Sequence, residues 1–266
     1  TAIYCETNGI TLNLDNVTIS NNEGHGIHPA GQNSVINNVT LVNNDGVGIY
    51  HLNNSSLTNS TISYNKGGGL SELDNVIIES TTINGNTLEY EYLTQGSYGA
   101  GIYYMSNSTL TDVIIKNNHA SNGEGGGIYF QHSVENVILE NVTITNNTAS
   151  RGGAIATAGG PIESNDIVFS ETTKCNIYEN YAVSGTDIWL GHTDQTLNIV
   201  VDTFTVATPT DYYAYPMSNI TFDIENHSVD PIVGDIYVDP TGSNDNSGTS
   251  PASPFKNIYY GLLSIF

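Results

Sequence analysis

Three apolar columns, each recurring at nearly fixed spacing, constrain this chain more than any other feature. The first runs Ile19, Leu41, Ile62, Ile83, Ile115, Ile144 and Ile177, in steps of 22, 21, 21, 32, 29 and 33 residues. The second follows glycine-rich corners: Ile3, Ile27, Ile49, Leu70, Ile102, Ile128, Ile155 and Ile188. The third precedes the first: Leu14, Ile36, Leu57, Ile78, Leu110 and Leu139. Around each column apolar and polar residues alternate, as with Val17 and Ile19 against Asn16, Thr18 and Ser20. Period two marks a strand with one face in and one face out. A unit this short, with three short strands, cannot bury its own apolar face, whereas a stack of such units buries a continuous core. The pattern therefore predicts an all-β fold, a parallel β-helix or β-solenoid of about seven to eight coils. With coils about 4.8 Å apart, the rod is roughly 35 Å long.

The corners agree with this reading. Asn22, Asn44, Asn65, Asn86, Asn118, Asn147 and Asn180 recur once per coil. Asparagine tolerates left-handed backbone, and stacked amides bond along an axis. These residues are read as a structural ladder rather than as ligand sites. Gly24/Gly26, Gly46/Gly48, Gly67 to Gly69, Gly99/Gly101, Gly125 to Gly127 and Gly152/Gly153 are read as supplying positive φ at the next corner. They lack the helix and lysine of a phosphate loop. Cys5 and Cys175 stand about seven rungs apart, or ~30 Å. That is beyond the reach of a disulfide, so none is expected.

The repeat divides the chain into three parts. Residues 1–206 form the β-helix. Residues 207–233 are read as a cap and linker over its open end, with a strand-like piece at Ile220 to Ile224. Residues 234–266 are read as the beginning of a second β-helix-type domain. In it a strand (Ile236 to Val238) and a turn-rich loop lead into a short helix starting near Ser253 and Pro254, with Ile258, Leu262, Leu263 and Ile265 on one side. The chain opens in mid-repeat and shows no export signal, so it is expected to be a piece of a longer protein.

The repeat N-V-T-I-x-N-N-x-x-x-x-G-G-x-I resembles right-handed parallel β-helix families, specifically the adhesin-like proteins of methanogenic archaea and the polymorphic outer-membrane-protein repeats of bacteria. The tail from Asp235 resembles the opening of another β-helix of that kind, where a YV-x-P-x-G segment begins the fold and a short helix caps it. The resemblance implies modular proteins of the cell surface with several helices in tandem.

Charge narrows the partners. Five Lys and Arg stand against 27 Asp and Glu, for a net charge of −22. Nucleic acid and anionic membranes need clustered cations, so neither is expected as a partner. No run of 18 apolar residues is present, so no membrane insertion is expected from this segment. The chain is placed outside the cell or on its surface.

Many right-handed β-helices process polysaccharides, which makes an enzyme the competing class. Gly24-His25-Gly26 resembles a motif of polygalacturonase-type hydrolases, but only Glu23 and Asp45 lie in neighbouring corners and no arginine is near. A pectate-lyase reading needs a Ca²⁺ cluster and a basic proton acceptor, whereas Lys66, Lys116, Arg151, Lys174 and Lys256 are scattered. Glu89 and Glu91 are the nearest thing to a carboxylate pair and read as solvated acids. No catalytic residue is assigned.

Binding fits better. The residue after each second-column position gives Tyr4, His28, Tyr50, Ser71, Tyr103, Tyr129, Ala156 and Trp189, an aromatic stripe if the column faces inward. The competing reading is that these rings stack on one another and shield the sheet. The insertion from Asn84 to Gly101 adds Tyr90, Tyr92 and Tyr98 beside Tyr103, Tyr104 and Tyr129. Long loops on a rigid scaffold tend to carry function. The candidate site is therefore Tyr50, Tyr90, Tyr92, Tyr103, Tyr104, Tyr129 and Trp189. Of ten N-x-S/T sequons, Asn16, Asn38, Asn59, Asn107, Asn141 and Asn219 are candidates for N-glycosylation. No cofactor is expected, apart from a structural Ca²⁺ that the oxygen-rich loop Asp239 to Asp245 could hold. The Thr18, Thr40, Thr61, Thr82 and Thr143 file is too interrupted, by Ile114 among others, to form an ice-binding face. The expected function is a non-enzymatic, adhesin-like surface rod. It would bind glycans or other surface or matrix proteins, or associate with itself. A polysaccharide lyase or glycoside hydrolase is the alternative.

Overall fold

The computed structural model describes residues 1–5, 11–29, 33–88, 98–131 and 134–264. Every paired strand in its three sheets runs parallel to its neighbours. Two of the stack's faces each carry nine successive strands. The third apolar column lies on a third face, joined to the second-column face through the long strands Ile49–Thr58 and Leu70–Glu79.

All three columns stack in register. Ile3 pairs with Ile27, Ile27 with Ile49, Ile49 with Leu70, Leu70 with Ile102, Ile102 with Ile128, Ile128 with Ile155, and Ile155 with Ile188. The first column continues past Ile177 to Phe204, and the third past Leu139 to Phe169. Each rung adds its apolar residues to one core, in which Ile27, Leu41, Ile49, Ile62, Ile83 and Ile102 are fully buried. Burying one such side chain contributes about 1.5–3 kcal/mol, so neighbouring rungs are mutually dependent.

The ladder does not stop at residue 206. Ile220–His227 pairs in register along Leu197–Phe204, with Ile220, Phe222 and Ile224 opposite Leu197, Ile199 and Val201. Ala214 continues the second column after Ile188. Residues 207–227 are therefore a ninth rung, where the sequence reading placed a cap and linker. The inward alternation persists there, but the ladder asparagine and corner glycines that marked earlier coils are gone.

The tail folds against that rung. Leu263 joins the main core, and its carbonyl accepts a hydrogen bond from the Tyr213 hydroxyl (2.6 Å). Ser264 O accepts the Ile232 N–H (2.7 Å). The short helix spans Ile258–Leu263 and is N-capped by Asn257, not by Ser253 or Pro254. It buries Gly261 and Leu263, while Ile258 (72% exposed) and Leu262 face away from the core. Val238 forms a single bridge with Phe255 and not a strand. Ile265 lies outside the described residues.

Two local assignments change. The ladder asparagines are not the left-handed residues. That conformation belongs to the residue before each: Asn21, Asn43, Tyr64, Gly85, Asn117, Asn146 and Glu179. Nor is positive φ the reason for most corner glycines. A Cβ on Gly48 would lie 2.7 Å from Gly69 O and 3.1 Å from the Asn65 amide nitrogen, and one on Gly127 would lie 2.6 Å from Ala154 O. Side chains are excluded because the next rung passes too close. Cys5 and Cys175 are both free thiols.

Candidate functional site

The line following the second column is continuous in register: Tyr50, Ser71, Tyr103, Tyr129, Ala156, Trp189 and Tyr215 lie on successive rungs. Tyr4 stands beside His28 at its N-terminal end. Ser71 and Ala156 interrupt the aromatic run.

In an ordinary strand the residue after Tyr50 would point inward. Here His51, Glu72 and Tyr104, on three successive rungs, all adopt left-handed backbone (φ 62°, 57° and 57°). Two consecutive side chains therefore face outward before the core resumes at Leu52, Leu73 and Met105. The conformation costs about 1–2 kcal/mol in a non-glycine residue. Asparagine, which bears it more cheaply, holds most other left-handed positions. Strain retained at three neighbouring rungs by His, Glu and Tyr singles out this patch.

The patch is tightly interlocked. His51 Nε2 pairs with Glu72 Oε2 at 2.6 Å, and the Tyr50 hydroxyl donates to Glu72 Oε1 at 3.1 Å. His25 stacks on Tyr50 (5.1 Å, 11°), His28 meets Tyr50 edge-on (4.9 Å), and His28 stacks on His51 (6.0 Å). Tyr4 packs edge-on against His28 at 5.0 Å. His25 Nδ1 accepts the Val47 backbone N–H at 3.0 Å. Burial, then the neighbouring His28, pulls the His25 imidazole below its usual range. Burial, then the Glu72 charge, pushes the Tyr50 phenol up.

Farther along, Tyr129 is held between Tyr98 (4.6 Å) and Tyr103 (5.9 Å), both stacked on it, and is only 3% exposed. Burial drives its phenol well above the usual range. Tyr129 therefore shields the sheet and offers no open ring face. The Tyr103 hydroxyl donates to Gln131. Arg151 pairs with Glu124 at 2.7 Å and lies over Trp189, 4.9 Å from its ring centre. Tyr50, Tyr103, Tyr104 and Trp189 are half-buried on the face. Tyr90, Tyr92, Glu89 and Glu91 lie outside the described residues.

The asparagine ladder runs beneath the corner. Asn22 Nδ2 donates to Asn44 Oδ1 at 2.7 Å, and the same bond recurs from Asn44 to Asn65, Asn65 to Asn86, Asn86 to Asn118, Asn118 to Asn147 and Asn147 to Asn180 at 2.9–3.0 Å. Each Oδ1 also accepts the preceding asparagine's backbone N–H. From Asn44 onward the ladder is fully buried. It ends on Asp187, whose Oδ1 takes the Asn180 amide at 3.0 Å.

Among the sequons, Asn16, Asn38, Asn59, Asn107 and Asn141 are exposed at left-handed corners. Asn219 is half-buried and donates its amide to the carbonyls of Thr193 and Gln195. In the Asp239 loop, Asp239 Oδ1 is occupied by Thr241 N–H (2.8 Å) and its hydroxyl (2.6 Å), while Asp245 accepts from Ser243. Among the described residues no group of three or more His, Cys, Asp and Glu is placed to hold a metal ion. A cleft of about 750 Å³ lies between the last rungs and the tail, lined by Glu179, Asp230, Asp245, Phe255 and Tyr260 among others. Sequence reasoning missed this cleft, as it missed His51 and Glu72. The signal for the latter pair was present: a 21-residue step sets Tyr50-His51 opposite Ser71-Glu72.

The stack and its columns define a parallel β-helix. The profile of the family described as right handed beta helix region matches residues 1–180, and the chain belongs to that family. The chain is similar to the serine protease pet autotransporter of Escherichia coli O44:H18 (strain 042 / EAEC), at 30% identity over 128 residues. The match takes in 39% of this chain and 10% of that protein, so the chain spans about a tenth of its relative's length. A crystal structure of pectate lyase Pel9A aligns with 92% of this chain and 63% of its own, at 12% identity and a TM-score of 0.44.

Proposed function

We propose that this chain is an adhesin-like, extracellular rod whose aromatic face binds glycans. The strained patch around Tyr50, His51 and Glu72 carries the reading. It sets ring faces beside a carboxylate and imidazoles, the groups that stack on sugars and bond their hydroxyls. An acidic surface and the similarity to part of an autotransporter support a place outside the cell. The test is a glycan array probed with the parent, Tyr50→Ala and Tyr103→Ala. The expected result is a saccharide bound by the parent and at least about tenfold weaker in the variants. Equal binding by all three would sink the idea.

A second reading, glycoside hydrolysis, rests on the cleft. Burial, then the Asp245 carboxylate, pushes the Glu179 carboxyl up, which suits a proton donor. Glu179 is also left-handed (φ 55°) where equivalent positions are mostly asparagine. Asp245 would be the second carboxyl group of such a pair. Release of reducing ends from neutral polysaccharides, abolished by Glu179→Gln, would support it. The lyase form is weaker. Lys174 stands beside two carboxylates, and its hydrogen bond to Glu225 (2.8 Å) holds it protonated, unfit to remove a proton.

A further inference from the structure

The aromatic face contains three imidazoles within one interlocked ring cluster, and one of them is wired into the backbone of the next rung. His25 Nδ1 accepts the Val47 N–H, which requires an unprotonated Nδ1. The same ring stacks flat on Tyr50, whose hydroxyl reaches Glu72. His25 thus couples the glycine corner, where Gly46 passes directly against it, to the ring at the centre of the proposed glycan site.

Building on the glycan reading, we infer that this face holds a neutral, extended glycan only while His25 is uncharged, and lets it go on acidification. Protonation of Nδ1 turns the acceptor into a donor aimed at the Val47 N–H. The ring must then swing out, and Tyr50 loses the stack that fixes it. A charged His25 also faces His28 (6.2 Å), with His51 beyond it, so one proton raises the cost of the next. The groups around His25 are His28 on the strand that follows it, Tyr50 and His51 on the next rung and Glu72 beyond them; Asp45 in the adjoining corner is paired with Lys66. Among the described residues Glu72 is the one carboxylate bonded to the cluster, and it is already shared by His51 and Tyr50. An anionic glycan is disfavoured near neutral pH, when His25 is uncharged and the chain's net charge is −22.

The sign is fixed. The folded state holds His25 below 6.5, so stability from this group is complete above pH 6.5. It is lost as pH falls through the lower folded value. The test uses cellohexaose as probe, an extended neutral chain whose residue repeat is close to the rung spacing. Calorimetric binding is measured at pH 7.5 and pH 5.0 for the parent and His25→Phe, alongside an NMR pH titration of the Val47 amide. The parent is expected to lose about tenfold in affinity at the lower pH, the worth of one lost hydrogen bond. Its Val47 amide should titrate with a midpoint below 6.5. His25→Phe keeps an aromatic ring and should lose the part of the pH dependence that tracks the Val47 titration, leaving only what His28 and His51 contribute. Equal parental binding at both pH values, or a Val47 amide that does not titrate, overturns the gate. Failure of the parent to bind cellohexaose at pH 7.5 counts against the glycan reading alone, and the Val47 titration still decides the switch.

Discussion

Replacing Asp187 with asparagine should remove a loss of stability that this protein suffers as pH rises through 7. Asp187 sits where earlier rungs have Gly26, Gly48, Gly69, Gly101, Gly127 and Ala154, just ahead of the second column. Its side chain supplies the acceptor that the next rung lacks. The carboxyl is fully buried, its Oδ2 has no partner, and burial pushes it up to about 7 against an ordinary 3.8, despite hydrogen bonds from Asn180 and Thr205. That is about three units at ~1.4 kcal/mol each, a ceiling of about 4 kcal/mol. Because the folded value is raised, the folded state keeps its proton between pH 3.8 and about 7 while the unfolded chain gives it up. Stability from this group is therefore full below pH 3.8 and lost as pH rises through 7. Asp187→Asn keeps an Oδ1 for Asn180 and cannot ionise. Urea unfolding of both proteins from pH 4 to pH 9 should show their difference shifting in the variant's favour by about 2–4 kcal/mol across that range. A new amide left without an acceptor would cost about 1–3 kcal/mol at every pH, displacing the curve without changing its slope. Subtracting the profiles cancels the self-repulsion of the other carboxylates. Parallel profiles would refute the reasoning.

The ladder and the corners make equally direct predictions. Asn86→Ala removes four hydrogen bonds and strands the Asn65 backbone N–H in the core, so a loss of about 3–5 kcal/mol is expected by urea unfolding; under 1 kcal/mol would show that the ladder is ornamental. Gly48→Ala puts a methyl 2.6 Å from Ile62 Cγ2 and 2.7 Å from Gly69 O, while Gly68→Ala meets nothing nearer than 3.4 Å but has φ +99°. The first should destabilise by more than about 3 kcal/mol, and the second by about 1–2 kcal/mol, measured side by side. Cys175 is buried and its thiol pushed up to about 11, so it should resist thiol reagents in the folded protein and react on denaturation.

The columns were readable because stacking repeats one environment at every rung. Each apolar position of Ile3 to Ile188 carries the same demand, and the sequence answers with the same few residues. The ninth rung was hidden because its demands differ. It lies past the ladder's end, so no asparagine is needed, and Ala214 with Tyr213 takes the place of a glycine–isoleucine pair. The aromatic line was legible as a line, but not its depth. Whether Tyr129 stood free or sandwiched depended on Tyr98 folding back over it, through a corner that spacing alone cannot describe. His51 and Glu72 escaped because strand periodicity assigns them inward, and only their left-handed backbone turns them out.

The row of asparagine amides has one more consequence. Every amide hands its proton toward the same end of the rod, so the row has a head and a tail. Its dipoles add, with the positive end arriving at Asp187, much as peptide dipoles add along a helix. Asp187 supplies the acceptor that closes the row at that end, so the ninth rung joins there without an asparagine of its own. At the other end the row starts from Asn22, and a coil that extended it there would have to present a donor. The row therefore has a fixed direction and grows from one end only.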